Sequence, residues 1–284
     1  MMADKTWTGA ASSVWDLAGN WSPSGVPVAA DDVYIVSGAV DITGEDQSGV
    51  ALGRLVIGSG YSGSIGASDL KMEIDATSVD FSSSGPSAYL QGTYATVTVL
   101  DTTSSDTALN LSGDSDTITT LRVLGGSGTI NIASSCNITT TIEQIGASGV
   151  VTNIADATTI GGSATLTMDS GRIELNQAVP TITIFGGDLE ASLDSGTVTL
   201  LEQYGGKCRW KPTADCTITT LTLYSGLFDS RDSTTPTYTI TNTTVHQDGT
   251  LDERSGLENA TYTNAIAIEG GEIRFDSGRA VTIT

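Results

Sequence analysis

Aromatic residues make up only 6% of this 284-residue chain, and charged residues only 16%. The chain has one histidine, 3 cysteines and 6 prolines. Each shortage removes a class of protein. A lone histidine, His246, offers no catalytic dyad and no histidine metal cluster, so it reads as a solvated or strand residue. Three cysteines supply neither zinc-site spacing nor a disulfide framework. No phosphate-binding glycine loop and no nucleophile elbow occurs. No stretch approaches the ~18 apolar residues of a membrane span. The amino terminus, Met1 to Trp7, lacks the apolar core of a signal peptide. The expectation is a chain kept in the cytoplasm or exported without a cleaved signal. Basic residues are scarce too. Lys and Arg number 12 against 33 Asp and Glu, giving a net charge of −21. Such a surface repels nucleic acid and anionic membranes, so neither is expected as a partner. No cofactor and no metal is expected either.

What the chain does have is glycine, 33 residues of it, and a short phrase built on it. A small or polar residue, a glycine, any residue and an apolar residue recur in that order. The phrase reads Ser127-Gly128-Thr129-Ile130, Ser148-Gly149-Val150-Val151 and Ser170-Gly171-Arg172-Ile173. It continues as Gly186-Gly187-Asp188-Leu189, Gly205-Gly206-Lys207-Cys208 and Ser225-Gly226-Leu227-Phe228. It ends as Asp248-Gly249-Thr250-Leu251 and Gly270-Gly271-Glu272-Ile273. The step is mostly about 19–23 residues, the spacing of solenoid arrays. Abundant Thr, Val and Ile favour strands, glycine suits the corners, and no segment of about ten residues reads as helix.

With the glycine as anchor, the position two residues on reads Ile130, Val151, Ile173, Leu189, Cys208, Phe228, Leu251, Ile273. This apolar row is expected to point inward. The next position reads Asn131, Thr152, Glu174, Glu190, Arg209, Asp229, Asp252, Arg274 and is expected to point out. That alternation sets a strand register. Arg172, Asp188 and Lys207 decorate consecutive rungs, where opposite charges contribute little to stability. Cys136 and Cys216 take equivalent places four rungs apart, roughly 19 Å at strand spacing, beyond disulfide reach. With Cys208 they read as small buried hydrophobes.

Residues 6–35 differ from the rest. They carry Trp7, Trp15 and Trp21, with Asn20, Pro23, Pro27, Asp31 and Asp32. A solenoid end exposes strand edges and apolar side chains, so it needs an atypical terminal unit. Three tryptophans make a compact plug; a carbohydrate-stacking platform is the competing reading. The pattern Trp7…Trp15…Asn20-Trp21…Pro27…Asp31-Asp32-Val33 resembles the segment that opens many bacterial and phage β-helix proteins. Autotransporter-like surface passengers and virion structural proteins are among them. The resemblance covers about 30 residues. It implies a cap on the first rung and a scaffold or adhesin, and it transfers no catalytic residue.

Glycosidase chemistry needs two carboxylates about 5–9.5 Å apart. Stacked Glu174 and Glu190, or Asp229 and Asp252, could meet that spacing, as could any acidic pair on adjacent rungs. Asp114-Ser115-Asp116 has the look of a Ca²⁺ loop but lacks the further acidic ligand, and reads as a turn. Lys207, Arg209 and Lys211 alternate around Cys208 and Trp210, so all three share one outward face. They read either as neutralising Asp188, Glu190 and Asp229 or as a docking spot for a partner.

The expected fold is all-β: a right-handed parallel β-solenoid with an N-terminal Trp-rich cap. Its hand follows from the crossover preference of parallel strands. Residues 1–35 form the cap, 36–117 irregular rungs and 118–284 regular rungs. The expected function is that of a non-enzymatic structural protein of a phage virion, a capsid decoration protein or a tail-fibre component. Such a protein would be assembled in the host cytoplasm. A bacterial surface or secreted adhesin and a carbohydrate-active β-helix depolymerase are the alternatives. The chain still reads as strand at Ala280 to Thr284, so that end is expected to be covered by another copy in a homo-oligomer, a trimer by family analogy. Other virion proteins are the further expected partners.

Overall fold

The computed structural model describes residues 3–83, 85, 87–103, 108–112, 117–156, 158–231, 237–254 and 260–275. Asp114 to Asp116 and the strand-like end at 280–284 lie outside them. The chain is a parallel β-solenoid of about 10 turns. No α-helix occurs among the described residues; the single helical element is a 3-10 turn, Ala18–Asn20.

The parallel strands form three ladders along the solenoid. The first begins at residues 4–6, paired with 32–34, and continues through 54–57, 78–81 and 96–99. From there it passes through 120–123, 141–144, 165–168, 181–184 and 200–203. It closes through 220–223, 242–245 and 266–269. The second ladder carries the glycine phrase, and the third is shorter and broken, with members at 137–138, 159–160, 216–218 and 238–240. The segment Thr181–Ile184 shows why these residues form strands. Ile182 and Ile184 have no exposed surface, while Thr181 and Thr183 are half-buried on the outer face. β-Branched residues suit a pleated surface, and period-2 alternation buries one face.

The interior row of the second ladder is longer than the glycine phrase suggests. Ile173, Leu189, Cys208, Phe228 and Leu251 stack on successive levels, with Ile130 two levels before Ile173, and all are fully buried. Leu109, Ala88, Ile65 and Ile42 extend the row toward the amino terminus, so these earlier, irregular rungs belong to the same stack.

The register expected at one rung is off by a residue. Val151 pairs with Thr129 and Arg172 on the outer side, and Thr152 takes the inward place between Ile130 and Ile173. A hydroxyl inside an apolar row needs a partner. Thr152 Oγ1 donates to Gln144 Oε1 at 2.7 Å. The Gln144 amide in turn donates to the carbonyls of Ser170 (3.0 Å) and Arg172 (3.2 Å). Gln203 does the same three levels on, reaching Gly206 O and Leu227 O, both at 3.1 Å. Interior glutamines thus place their amides on buried corner carbonyls, one of which, Gly206 O, also accepts from Leu227 N at 3.1 Å.

The three tryptophans of the first segment are buried, Trp15 completely. Trp21 packs edge-on against Trp7 (5.1 Å) and Trp15 (4.6 Å), and its indole N–H donates to Trp15 O at 2.8 Å. This overturns the sugar-platform reading, because no indole face is open to a ligand. Asn20 organises the loop around them. Its side-chain oxygen accepts from the backbone N–H groups of Ala11 and Ser12, each at 2.9 Å, and its amide donates to Val14 O at 2.7 Å. Buried Asp31 accepts from Ala3 N (2.9 Å) and Val28 N (3.1 Å). The strand Asp4–Trp7 is thereby covered: residues 4–6 lie on 32–34, and Trp21–Ser22 pairs antiparallel across its other edge.

Candidate functional site

The glycine corners set the outer surface. A Cβ on Gly205 would come 2.5 Å from Phe185 O, and one on Gly206 2.5 Å from Gly187 O. Gly206 also has φ +65°. Only glycine lets the corners of successive rungs approach this closely. On either side of the corner, side chains stack in straight columns.

On the second ladder the outer columns are charged and paired. Arg172 bridges Glu174 at 2.9 Å and Glu190 at 2.8 Å. Arg209 bridges Asp188 at 2.7 Å and Glu190 at 3.4 Å. Lys211 lies 3.8 Å from Glu190, and Lys207 2.8 Å from Asp229. Lys207, Arg209 and Lys211 therefore do share an outward face, and each one has an acidic neighbour there. The pairing is diagonal: Arg172, Asp188 and Lys207 stand in register but do not bridge one another.

Asp229 and Asp252 depart from expectation. They occupy outward positions yet are buried, covered by arginines two residues further on. Arg231 grips Asp229 with two bonds of 2.8 Å, and Arg254 grips Asp252 at 2.9 and 2.8 Å. The Arg231 guanidinium, with Lys207 behind it, holds the Asp229 carboxyl well below the usual carboxylate range. Arg254 lowers Asp252 in the same way. A general acid needs the opposite shift. The carboxylates of the other stacked pair, Glu174 and Glu190, share Arg172. Among the described residues no cluster of three His, Cys, Asp or Glu side chains could hold a metal. Cys208 and Cys216 are buried; burial raises both thiols, Cys216 to about 12, far from the thiolate form a nucleophile needs.

Comparison with family models, with curated proteins and with solved structures returns no match. The site therefore rests on the chain's own geometry.

That geometry holds one feature which the sequence reading passed over. Phe185, Tyr204, Tyr224 and His246 stand on four successive levels at the corner that ends the first ladder. Their rings stack face to face, with centroids 5.1, 4.5 and 4.6 Å apart and interplanar angles of 21°, 10° and 4°. His246 Nδ1 lies 2.9 Å from Glu269 Oε2 on the next level. The column faces outward: Phe185 is 53% exposed and Tyr204 40%. The sequence did carry a signal. The residue just after each first-ladder strand reads Leu124, Ile145, Asp169, Phe185, Tyr204, Tyr224, and from Asp169 on it directly precedes the glycine phrase.

Proposed function

We propose that the chain is a non-enzymatic structural rod of a phage virion, a capsid decoration protein or a tail-fibre component. The observation that carries this reading is the first ladder, which runs in register from residues 4–6 to 266–269 and is covered at its amino-terminal edge by the tryptophan segment. Its resemblance to the opening segment of phage and bacterial β-helix proteins supports the virion assignment. The charged face supports a structural role as well. Its acidic and basic groups are directed at one another along the rod rather than toward a common point. A bacterial surface adhesin is the second reading, favoured by the exposed aromatic corner.

Immunogold labelling separates the two. An antibody raised against the chain should decorate phage particles recovered from the source sample. Label confined to cell surfaces would replace the virion reading with the adhesin. Release of reducing ends or unsaturated sugars from a panel of polysaccharides would overturn the non-enzymatic assignment.

A further inference from the structure

Among the described residues, five of the ten exposed large hydrophobic side chains stand on one corner of the solenoid: Val36, Leu100, Ile145, Phe185 and Tyr204. Tyr224 and His246 continue that line. A soluble monomer seldom lines up so much apolar surface without a use for it. We propose that this corner is a lateral docking surface for a second copy of the same chain, laid side by side along the rod.

Three observations favour that occupant. The inner ring faces are already used: Tyr204 and Tyr224 each have a ring stacked on both sides, so mainly their edges and hydroxyls face solvent. Sugars and nucleobases need open ring faces, whereas a protein surface can also pack against edges. Charge selects next. The chain carries −21, and two such chains repel unless they meet where charge is sparse. From Leu124 to Tyr224 the corner column itself holds one carboxylate, Asp169, with Glu143 (paired with Arg122) and Glu202 beside it on the first ladder, whereas the second ladder carries Arg172, Glu174, Asp188, Glu190, Lys207 and Arg209 on neighbouring rungs. Repeat comes third. A second copy has the same spacing of about 4.8 Å per level, so its ridges match these grooves along the whole length. The strip from Leu100 to His246 is roughly 35 Å long at that spacing. With the flanking threonines it offers on the order of 700 Å², near the ~800 Å² per partner of a standard interface.

Sedimentation velocity on the full chain tests this. The wild type should self-associate, and more strongly in about 1 M than in about 0.15 M NaCl, because salt screens the like charges around the strip. The double variant Phe185→Glu, Tyr204→Glu should weaken association at least about 100-fold while keeping its circular dichroism. Thr129→Glu, Thr250→Glu adds the same charge to the second ladder and should leave assembly unchanged. If the corner variant disturbs folding, Phe185→Ser alone should still weaken assembly about tenfold. A wild type that stays monomeric at high concentration overturns the proposal, as does assembly equally affected in both double variants. The docking surface stands or falls independently of the virion reading, which is judged by labelling.

Discussion

Ile173 has no exposed surface and sits between Thr152 and Leu189 in the interior row. Replacing it with Asp would bury a charge with no cation beside it inside the stack. Chemical denaturation should show a loss of more than about 4 kcal/mol, or no folded protein. Asp229 presents the reverse case, a buried carboxylate that is well partnered. Its folded pKa lies below the usual value because Arg231 and Lys207 favour the charged form. A lowered pKa contributes stability that is complete above the unfolded value of about 3.9 and is lost as pH falls through the folded value. Asp229→Asn should therefore cost about 1–3 kcal/mol at neutral pH. The gap in melting temperature between variant and wild type should narrow as pH drops below about 4. An equal gap at both ends would contradict this assignment. Burial of Asp229 and Asp252 was not legible from alternation, which marks these positions only as outward. It follows from arginines two residues further on, whose guanidinium groups fold back over the carboxylates.

The corner and the cap operate at the scale of elements. Gly206 combines φ +65° with a neighbour's carbonyl 2.5 Å from where a Cβ would sit. Gly206→Ala should cost about 2 kcal/mol or more, since strain and a backbone clash act together. Gly162→Ala, with nothing within 4 Å of the new methyl, should stay within about 0.5 kcal/mol. Equal losses in the two would show that the corners are not closely packed. Deletion of residues 1–35 uncovers the edge at 54–57 and removes three buried tryptophans from the end of the core. The truncated chain should aggregate on light scattering, because an open parallel edge pairs with other chains. A monodisperse, equally stable truncation would deny the segment its capping role. The presence of a tryptophan plug was readable from composition. The hydrogen bonding of Asn20 and Asp31 was not, because it depends on the path of the loop between Trp7 and Asp32. The register slip at Thr152 escaped for a related reason. Gly149 fits the phrase in sequence, but the pairing places Val150 where other rungs carry glycine, and only the Gln144 side chain accounts for the inward hydroxyl.

At the scale of the whole molecule, a repeated glycine phrase and strict alternation are enough to specify a stack of parallel rungs. Each rung buries its apolar face on its neighbours, so the pattern of one rung nearly determines the next. The aromatic corner shows where that logic stops. Burial constrains the inner positions strongly, whereas the outer columns are free to vary and carry what distinguishes this rod from another. The most direct test of the stack is a crystallographic electron-density map of the full chain. It should show parallel rungs about 4.8 Å apart, with Ile130, Thr152, Ile173, Leu189 and Leu251 in one interior row and Val151 on the outer face. Density with these five residues facing solvent, with antiparallel pairing through residues 118–252, or with a substantial helix in that region would contradict it.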